Sequence, residues 1–469
     1  MTALTAAIPW ILGLFTLGIC GAIFGKFWSS WRTFSFPVSL TLLLMFLGLS
    51  GVMVIGVGVT QALLGVGLAA GIILSFLQPV AAVCILVSQL LIRPWEVIAD
   101  APSLLGTLPR LLAAITFTSW LLHRLLRKRL SFVWNSSLTV FTFLFGWLLL
   151  SALLAPYAEY NLEDIFRIFL PIFGFCILLV NCVETKRDFA LVTQSLTLAL
   201  AAVIATALVY TLADPEFLTG GLRLQSVGQN GNTNDLAALT VLAIPFSYFS
   251  WMEKRKLKKS GSWVDVLCLV IFFTALILAK SRAAMLALGG AFGFHLFLTT
   301  RSKAKLLLKL SLLAPVAFGL FVVALHRDAA DLEGSSDSRF NYILAGFKML
   351  RAHPFFGVGV GNYPRFYDQF TLAYIETGER TAHSTWMLLL SETGLMGLLL
   401  FGILFYTSVK RAWSIRAVYP ELLVSLFGYS ITMTFLSHAY CLYPYLLFFL
   451  ILSASRLPLP QSGDPLHGT

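Results

Sequence analysis

AHSTWMLLLSETGLMG (residues 382–397) closes the one long polar excursion of this chain, His326 to His383, and runs without interruption into another apolar span. Around that excursion the chain is built for hydrocarbon. Of its 469 residues 58% are hydrophobic and 12% charged, with a mean hydropathy of +0.84, whereas soluble domains carry about 25% charged residues. Apolar runs of about 20 residues, each able to cross a hydrocarbon core of about 30 Å, are separated by short charged or Pro/Gly-containing links. The runs are continuously apolar instead of alternating, so helices span the membrane and a barrel is excluded. The fold class that follows is an all-α polytopic membrane protein.

Spans are predicted near 4–25, 36–57, 62–92, 104–125, 135–155, 163–181, 187–212, 234–252, 262–279, 282–300, 305–325, 384–409, 420–440 and 443–456. This gives about 12–14 transmembrane helices, with Gln78-Pro79 able to split the third. The expected organisation is N-terminal transmembrane helices over 1–325, a loop over 326–383, C-terminal transmembrane helices over 384–456 and a tail over 457–469. No Lys or Arg precedes Lys26, so no signal peptide is expected. HRLLRKR, ETKRD, EKRKLKKSG, RSKAK with Lys309, and KRAWSIR hold 18 of the 33 Lys and Arg, and these links alternate along the chain. The positive-inside rule puts them, both termini and the tail in the cytoplasm, and the 326–383 loop outside. Lys26 and Arg32 then fall outside, against the rule.

The net charge of +11 reflects this topology and contact with membrane lipids at the inner face. No basic domain interleaved with aromatics is present, so nucleic acid is not an expected partner. Cys20, Cys84, Cys176, Cys182, Cys268 and Cys441 lie in or beside apolar spans and none lies in the loop, so packing must order it. No CxxC or HExxH spacing occurs, and no metal and no cofactor are expected.

Within the loop, Ser336 or Asp337 can cap a helix with Phe340, Ile343, Leu344, Phe347 and Leu350 at helical spacing, ended by Pro354. GVGVGNYP (357–364) follows. It has no surrounding βαβ unit, so it reads as a tight turn, or as backbone N–H groups facing a phosphate. Pro364 can open a second helix with Phe366, Phe370 and Tyr374 on one side.

Four patterns, in chain order, resemble the O-antigen ligase and polymerase superfamily: GQNGNTNDLAALTVLAIPF, LAKSRAAMLAL, DSRFNYILAGFKMLRAHPFFGVGVGN and AHSTWMLLLSETGLMGL. The resemblance covers roughly residues 135–456. That superfamily includes cyanobacterial proteins labelled putative bicarbonate transporters, whose motif set this chain also resembles. The resemblance implies a GT-C-like glycosyltransferase of the bacterial inner membrane, independent of metal. It would act on the outer, periplasmic face, moving a glycan from an undecaprenyl-diphosphate-linked donor to a hydroxyl of a glycan, lipid or protein acceptor, as in lipopolysaccharide and polysaccharide biosynthesis.

Expelling a lipid diphosphate calls for fixed positive charge where charge develops, and the planar fork of Arg suits phosphate oxygens. Ser281 and Arg282 match the family's Ser-Arg motif on an outer link, and Lys280 precedes them. Arg339 matches the Arg of the loop-helix motif, with a solvated helix face as the structural alternative. Arg223 lies on another outer link. His383 matches the His of ligase-type members and stands at the outer boundary, where an imidazole can take the acceptor's proton. Glu392, nine residues on, is about 13.5 Å deeper by helical rise, so it pairs with a basic group or caps a buried network. Gln229, Asn232 and Asn234 can bind sugar hydroxyls, with helix capping expected of one, Asn234. His438 matches a recurrent family His near the outer end of the penultimate span. The picture that results is a lid of two amphipathic helices bringing Arg339 over an outer cleft.

Two other functions compete with single transfer by a ligase. A polymerase of the same fold would join repeat units by the same chemistry. A small-anion transporter would place ionisable groups at midplane helix breaks, whereas the candidates here gather at outer ends.

Overall fold

The computed structural model describes residues 75–76, 78–93, 108–126, 132–155, 158–213, 223–224, 232–258, 261–311, 319, 329–371 and 380–458. The expected spans near 4–25 and 36–57, the first part of 62–92 and most of the later part of 305–325 lie outside these residues. Among them the chain is helical with no strand, and seven helices are long and apolar enough to cross a membrane. The fold is thus the expected all-α polytopic one.

Two compact units emerge, one from 1–132, 191–289 and 311–327, the other from 133–190, 290–310 and 328–469. In the first, α1 (Pro79–Ile92) packs on α2 (Leu108–Leu126). Gln78 is extended and Pro79 occupies the first helical turn, so the expected break at Gln78-Pro79 is present. After α3 (Ser136–Leu154), α4 (Ala158–Asp164), a π-helical turn, α5 (Leu170–Cys182) and α6 (Lys186–Ala213), the chain forms a hairpin of α7 (Thr233–Lys256) and α8 (Ser262–Ala279). Buried Asp265 ties the hairpin by accepting from Lys254 Nζ at 2.7 Å and Ser250 Oγ at 3.0 Å. Helix α9 (Arg282–Thr299) follows directly.

The second unit is built around α14 (Leu442–Ser455), buried along nearly its whole length. Phe141 of α3 and Phe449 of α14 have ring centroids 4.8 Å apart, and Tyr445 meets Phe141 at 5.2 Å and Phe169 at 5.1 Å. Such aromatic pairs add about 0.5–1.5 kcal/mol each beyond the area they bury. The other elements are α10 (Ala329–Ala352), α11 (Tyr363–Phe370), α12 (Thr385–Ile415) and α13 (Pro420–Thr434). Asn135 caps α3 by accepting from Ser137 N and Leu138 N.

Three expectations are corrected. Helix α10 begins at Ala329, so Ser336 and Asp337 lie inside it; Ala329, Ala330, Leu332 and Glu333 favour helix and extend it upstream. Its buried face is Tyr342, Ala345 and Met349, while Phe340, Ile343 and Phe347 are exposed, Phe340 by 68%. Close approach decides this, because a Cβ on Gly346 would overlap the Met387 side chain of α12, and only small residues fit there. Likewise α11 buries Tyr363 and Tyr367, not Phe366 and Phe370, and ends at Phe370.

Helix α12 carries the decisive irregularity. Gly394 has φ 68° and ψ −168°, a conformation reserved for glycine, and it breaks the helix. A broken span needs other groups for its freed backbone atoms, and the GVGVG run supplies them. Val358 N donates to Ser391 O and Gly359 N to Glu392 O, both at 2.9 Å, and Leu395 N donates to Pro354 O at 3.1 Å. From α3, Trp147 Nε1 donates to Thr393 O at 2.8 Å and Ser151 Oγ to Glu392 O at 2.9 Å. Gly394→Ala should cost about 1–3 kcal/mol in backbone strain, with added cost because its Cβ would strike Phe355 O. Thermal unfolding of the detergent-purified variant, read as monodisperse protein remaining, should shift clearly downward.

Candidate functional site

In the first unit the segment at Arg223 lies against the turn between α8 and α9. Leu224 N donates to Leu278 O at 2.9 Å, and Thr233 Oγ1 donates to Leu224 O at 2.8 Å. Arg223 donates through Nε to Ala279 O at 2.9 Å and through a terminal nitrogen to Asn234 Oδ1 at 2.8 Å. A guanidinium on the last carbonyl of α8 complements that helix's negative end. Asn232 caps α7, accepting from Asn234 N at 2.9 Å. Capping was expected of Asn234, but the helix starts at Thr233, so the cap falls one residue before it and Asn234 is left to hold Arg223. Gln229 lies outside the described residues.

The turn itself is Lys280-Ser281-Arg282. Lys280 adopts φ 47° at the C-cap of α8, its N–H bonded to Ile277 O. Ser281 is buried and its carbonyl accepts from Met285 N at 3.0 Å, so it opens α9. Arg282 is half-buried on the first turn of α9. Among the described residues no hydrogen-bond or ion-pair partner accompanies its guanidinium. A cation at the positive end of a helix is unfavourable unless an anion joins it.

In the second unit a group of side chains gathers at the start of α12. His383 is half-buried and held at φ 44°, left-handed for a side chain with a Cβ. Ser384 caps the helix, its Oγ accepting from Met387 N at 3.4 Å. The Tyr342 ring of α10 lies 5.2 Å from the His383 ring. Buried Thr385 donates to Leu436 O at 2.7 Å and accepts from His438 N at 3.0 Å. That one hydroxyl fixes the turn after α13, which is why the helix expected to reach 440 stops at Thr434. His438 is buried, its Nδ1 at 2.7 Å from Tyr429 Oη, and its ring packs edge-on against Tyr443. Arg339 places its guanidinium 5.9 Å from the Phe435 ring, next to that turn. Arg339, His383 and His438 are therefore neighbours of one helix start.

Glu392 is buried at the break in α12. Its Oε1 accepts from Tyr363 N at 2.7 Å and its Oε2 from Gly361 N at 3.0 Å. The N–H groups of the glycine run thus face this chain's own carbonyls and carboxylate, a correction to the phosphate reading of GVGVGNYP. Tyr363 in turn donates its hydroxyl to Tyr342 O at 2.6 Å. Burial first, then Tyr367 and Glu392, pushes the Tyr363 phenol well above its ordinary range, so it stays a donor. Sequence reasoning missed Tyr342, Tyr363, Thr385, Trp147 and Ser151. The i,i+4 spacings Tyr363/Tyr367 and Trp147/Ser151 were the available signals.

No group of three or more His, Cys, Asp or Glu able to hold a metal occurs among the described residues. The protein is a multi-pass α-helical membrane protein. Residues 267–402 match the family model described as O-antigen ligase, which supports membership of the O-antigen ligase and polymerase superfamily, and a ligase- or polymerase-type activity. The matched segment contains Lys280, Ser281, Arg282, Arg339, His383 and Glu392. Among curated proteins, none matches the chain.

Asn232→Ala should destabilise the protein by about 1 kcal/mol through loss of the cap, and Asn232→Ser should restore most of it. The check is the midpoint of thermal unfolding of the three proteins in one detergent.

Proposed function

We propose that this protein transfers a glycan from an undecaprenyl-diphosphate-linked donor to an acceptor hydroxyl on the outer face of the inner membrane, with both termini in the cytoplasm. The observation that carries the reading is Arg282. Its half-buried guanidinium sits at the positive end of α9 beside Lys280, and no hydrogen-bond or ion-pair partner among the described residues neutralises it. A diphosphate would do so, and the same contact would stabilise the charge that develops as the anomeric bond breaks. Arg223, fastened to Ala279 O and Asn234, adds positive charge to this turn. Ser281, Asn232 and Gln229 are assigned to substrate binding at this turn, and Arg339 and His438 to substrate binding beside His383.

His383 is the proposed base. Its strained backbone is a departure that packing must sustain, and such strain concentrates where side-chain direction matters. The imidazole takes the proton of the acceptor hydroxyl as oxygen bonds to the anomeric carbon and the lipid diphosphate leaves. Ligase and polymerase share this step and differ in acceptor. The transporter reading looks for an ionisable group open to a path at a helix break. Glu392 lies at a break, but both its oxygens are closed by backbone N–H groups, which favours surface chemistry.

The test is reconstitution in liposomes with an undecaprenyl-diphosphate-linked glycan and three acceptors: a lipid bearing a core oligosaccharide, a hydroxyl-bearing peptide and the repeat glycan itself. One discrete product is expected, and a ladder would assign the polymerase version. His383→Ala and Arg282→Ala should each stay folded and lose about 10²–10⁴-fold in turnover, the usual scale for a base or a charge-stabilising donor. Normal transfer by both would overturn the reading.

A further inference from the structure

We propose that Glu392, Tyr363 and Tyr342 form a positioning chain that holds His383 in its working orientation. This rests on the reading of His383 as the base. Glu392 cannot touch substrate while both carboxylate oxygens accept backbone N–H groups in a buried position. What it does is fix Tyr363 N at 2.7 Å, at the start of α11. The Tyr363 hydroxyl reaches across to Tyr342 O at 2.6 Å and so anchors the backbone of α10. Tyr342 then lies ring against ring with His383, the centroids 5.2 Å apart and the planes tilted by 35°. Tyr367 closes the same cluster, 5.4 Å from Tyr342 and 6.2 Å from Tyr363.

Two features make this more than packing. Glu392 lies on α12 seven residues past its first residue, about 10.5 Å of helical rise, whereas His383 precedes the Ser384 cap of that helix. The path through Tyr363 and Tyr342 leaves α12 and returns to it, so the carboxylate sets the histidine through α10 and α11. His383 also sits at a left-handed φ of 44°, which its own backbone does not favour. Packing has to sustain that backbone, and the Tyr342 ring against the His383 imidazole is one such contact. The Met387 side chain wedged at Gly346 keeps α10 and the first turn of α12 together, so movement of α10 would carry Tyr342 away from His383.

The experiment uses the full chain in liposomes, the undecaprenyl-diphosphate-linked glycan, and whichever of the three acceptors is glycosylated. Tyr363→Phe removes one hydroxyl and Glu392→Gln one acceptor, and both should fold. Each should lower kcat about tenfold with KM for the donor lipid unchanged. In a His383→Ala background neither should lower turnover further, because the group they position is gone. A wild-type kcat in Tyr363→Phe would overturn the chain of contacts, as would an equal further loss in the His383→Ala background, which marks a merely structural effect. If His383→Ala leaves no measurable turnover, the kcat and KM of Tyr363→Phe alone decide. If His383→Ala keeps wild-type turnover, the base assignment fails instead, and the two failures are distinct.

Discussion

The break in α12 at Gly394 is the constraint on which the second unit depends. A membrane span cannot leave backbone groups unpaired in hydrocarbon, where each costs several kcal/mol. Here the freed carbonyls of Ser391, Glu392 and Thr393 are taken by Val358 N, Gly359 N, Trp147 Nε1 and Ser151 Oγ. The polar excursion therefore reaches into the helix that follows it, instead of resting above the membrane unit as a separate cap. Gly357 and Gly394 allow this contact because a Cβ on either would strike the opposite backbone.

From that docking the placement of the candidate residues in the second unit follows. The glycine run delivers Gly361 N and Tyr363 N to Glu392, which sets α11; α11 sets α10 through Tyr342, and α10 meets the start of α12 at His383. Thr385, the first residue of that helix, binds the turn that carries His438. In the other unit a different logic applies. There the ends of α7, α8 and α9 collect Arg223, Asn234, Lys280 and Arg282 through caps and helix termini.

Much of the fold was legible in the sequence, because apolar runs at membrane length announce helices whatever their packing. Spans such as Ser262–Ala279 and Arg282–Thr299 lie almost where hydropathy puts them. The candidate residues stood out as motifs, but the contacts each of them makes did not. Nothing in AHSTWMLLLSETGLMG says that Gly394, and not Gly397, opens a helix break, since a Gly is tolerated inside a continuous helix. The face of α10 was misread for a related reason: hydrophobicity favours Phe340 and Phe347, while the approach of α12 demands the small side of Ala345 and Gly346. Capping at Asn232 instead of Asn234 turned on where the helix starts, which lies within the usual uncertainty of helix ends.

The most direct measurement is a structure of the reconstituted protein holding a non-transferable undecaprenyl-diphosphate glycan analogue. The account predicts diphosphate oxygens within about 2.7–2.9 Å of the Arg282 guanidinium, the usual length of a charge-assisted pair. A diphosphate bound away from the Lys280–Arg282 turn, with Arg282 facing lipid headgroups, would contradict it.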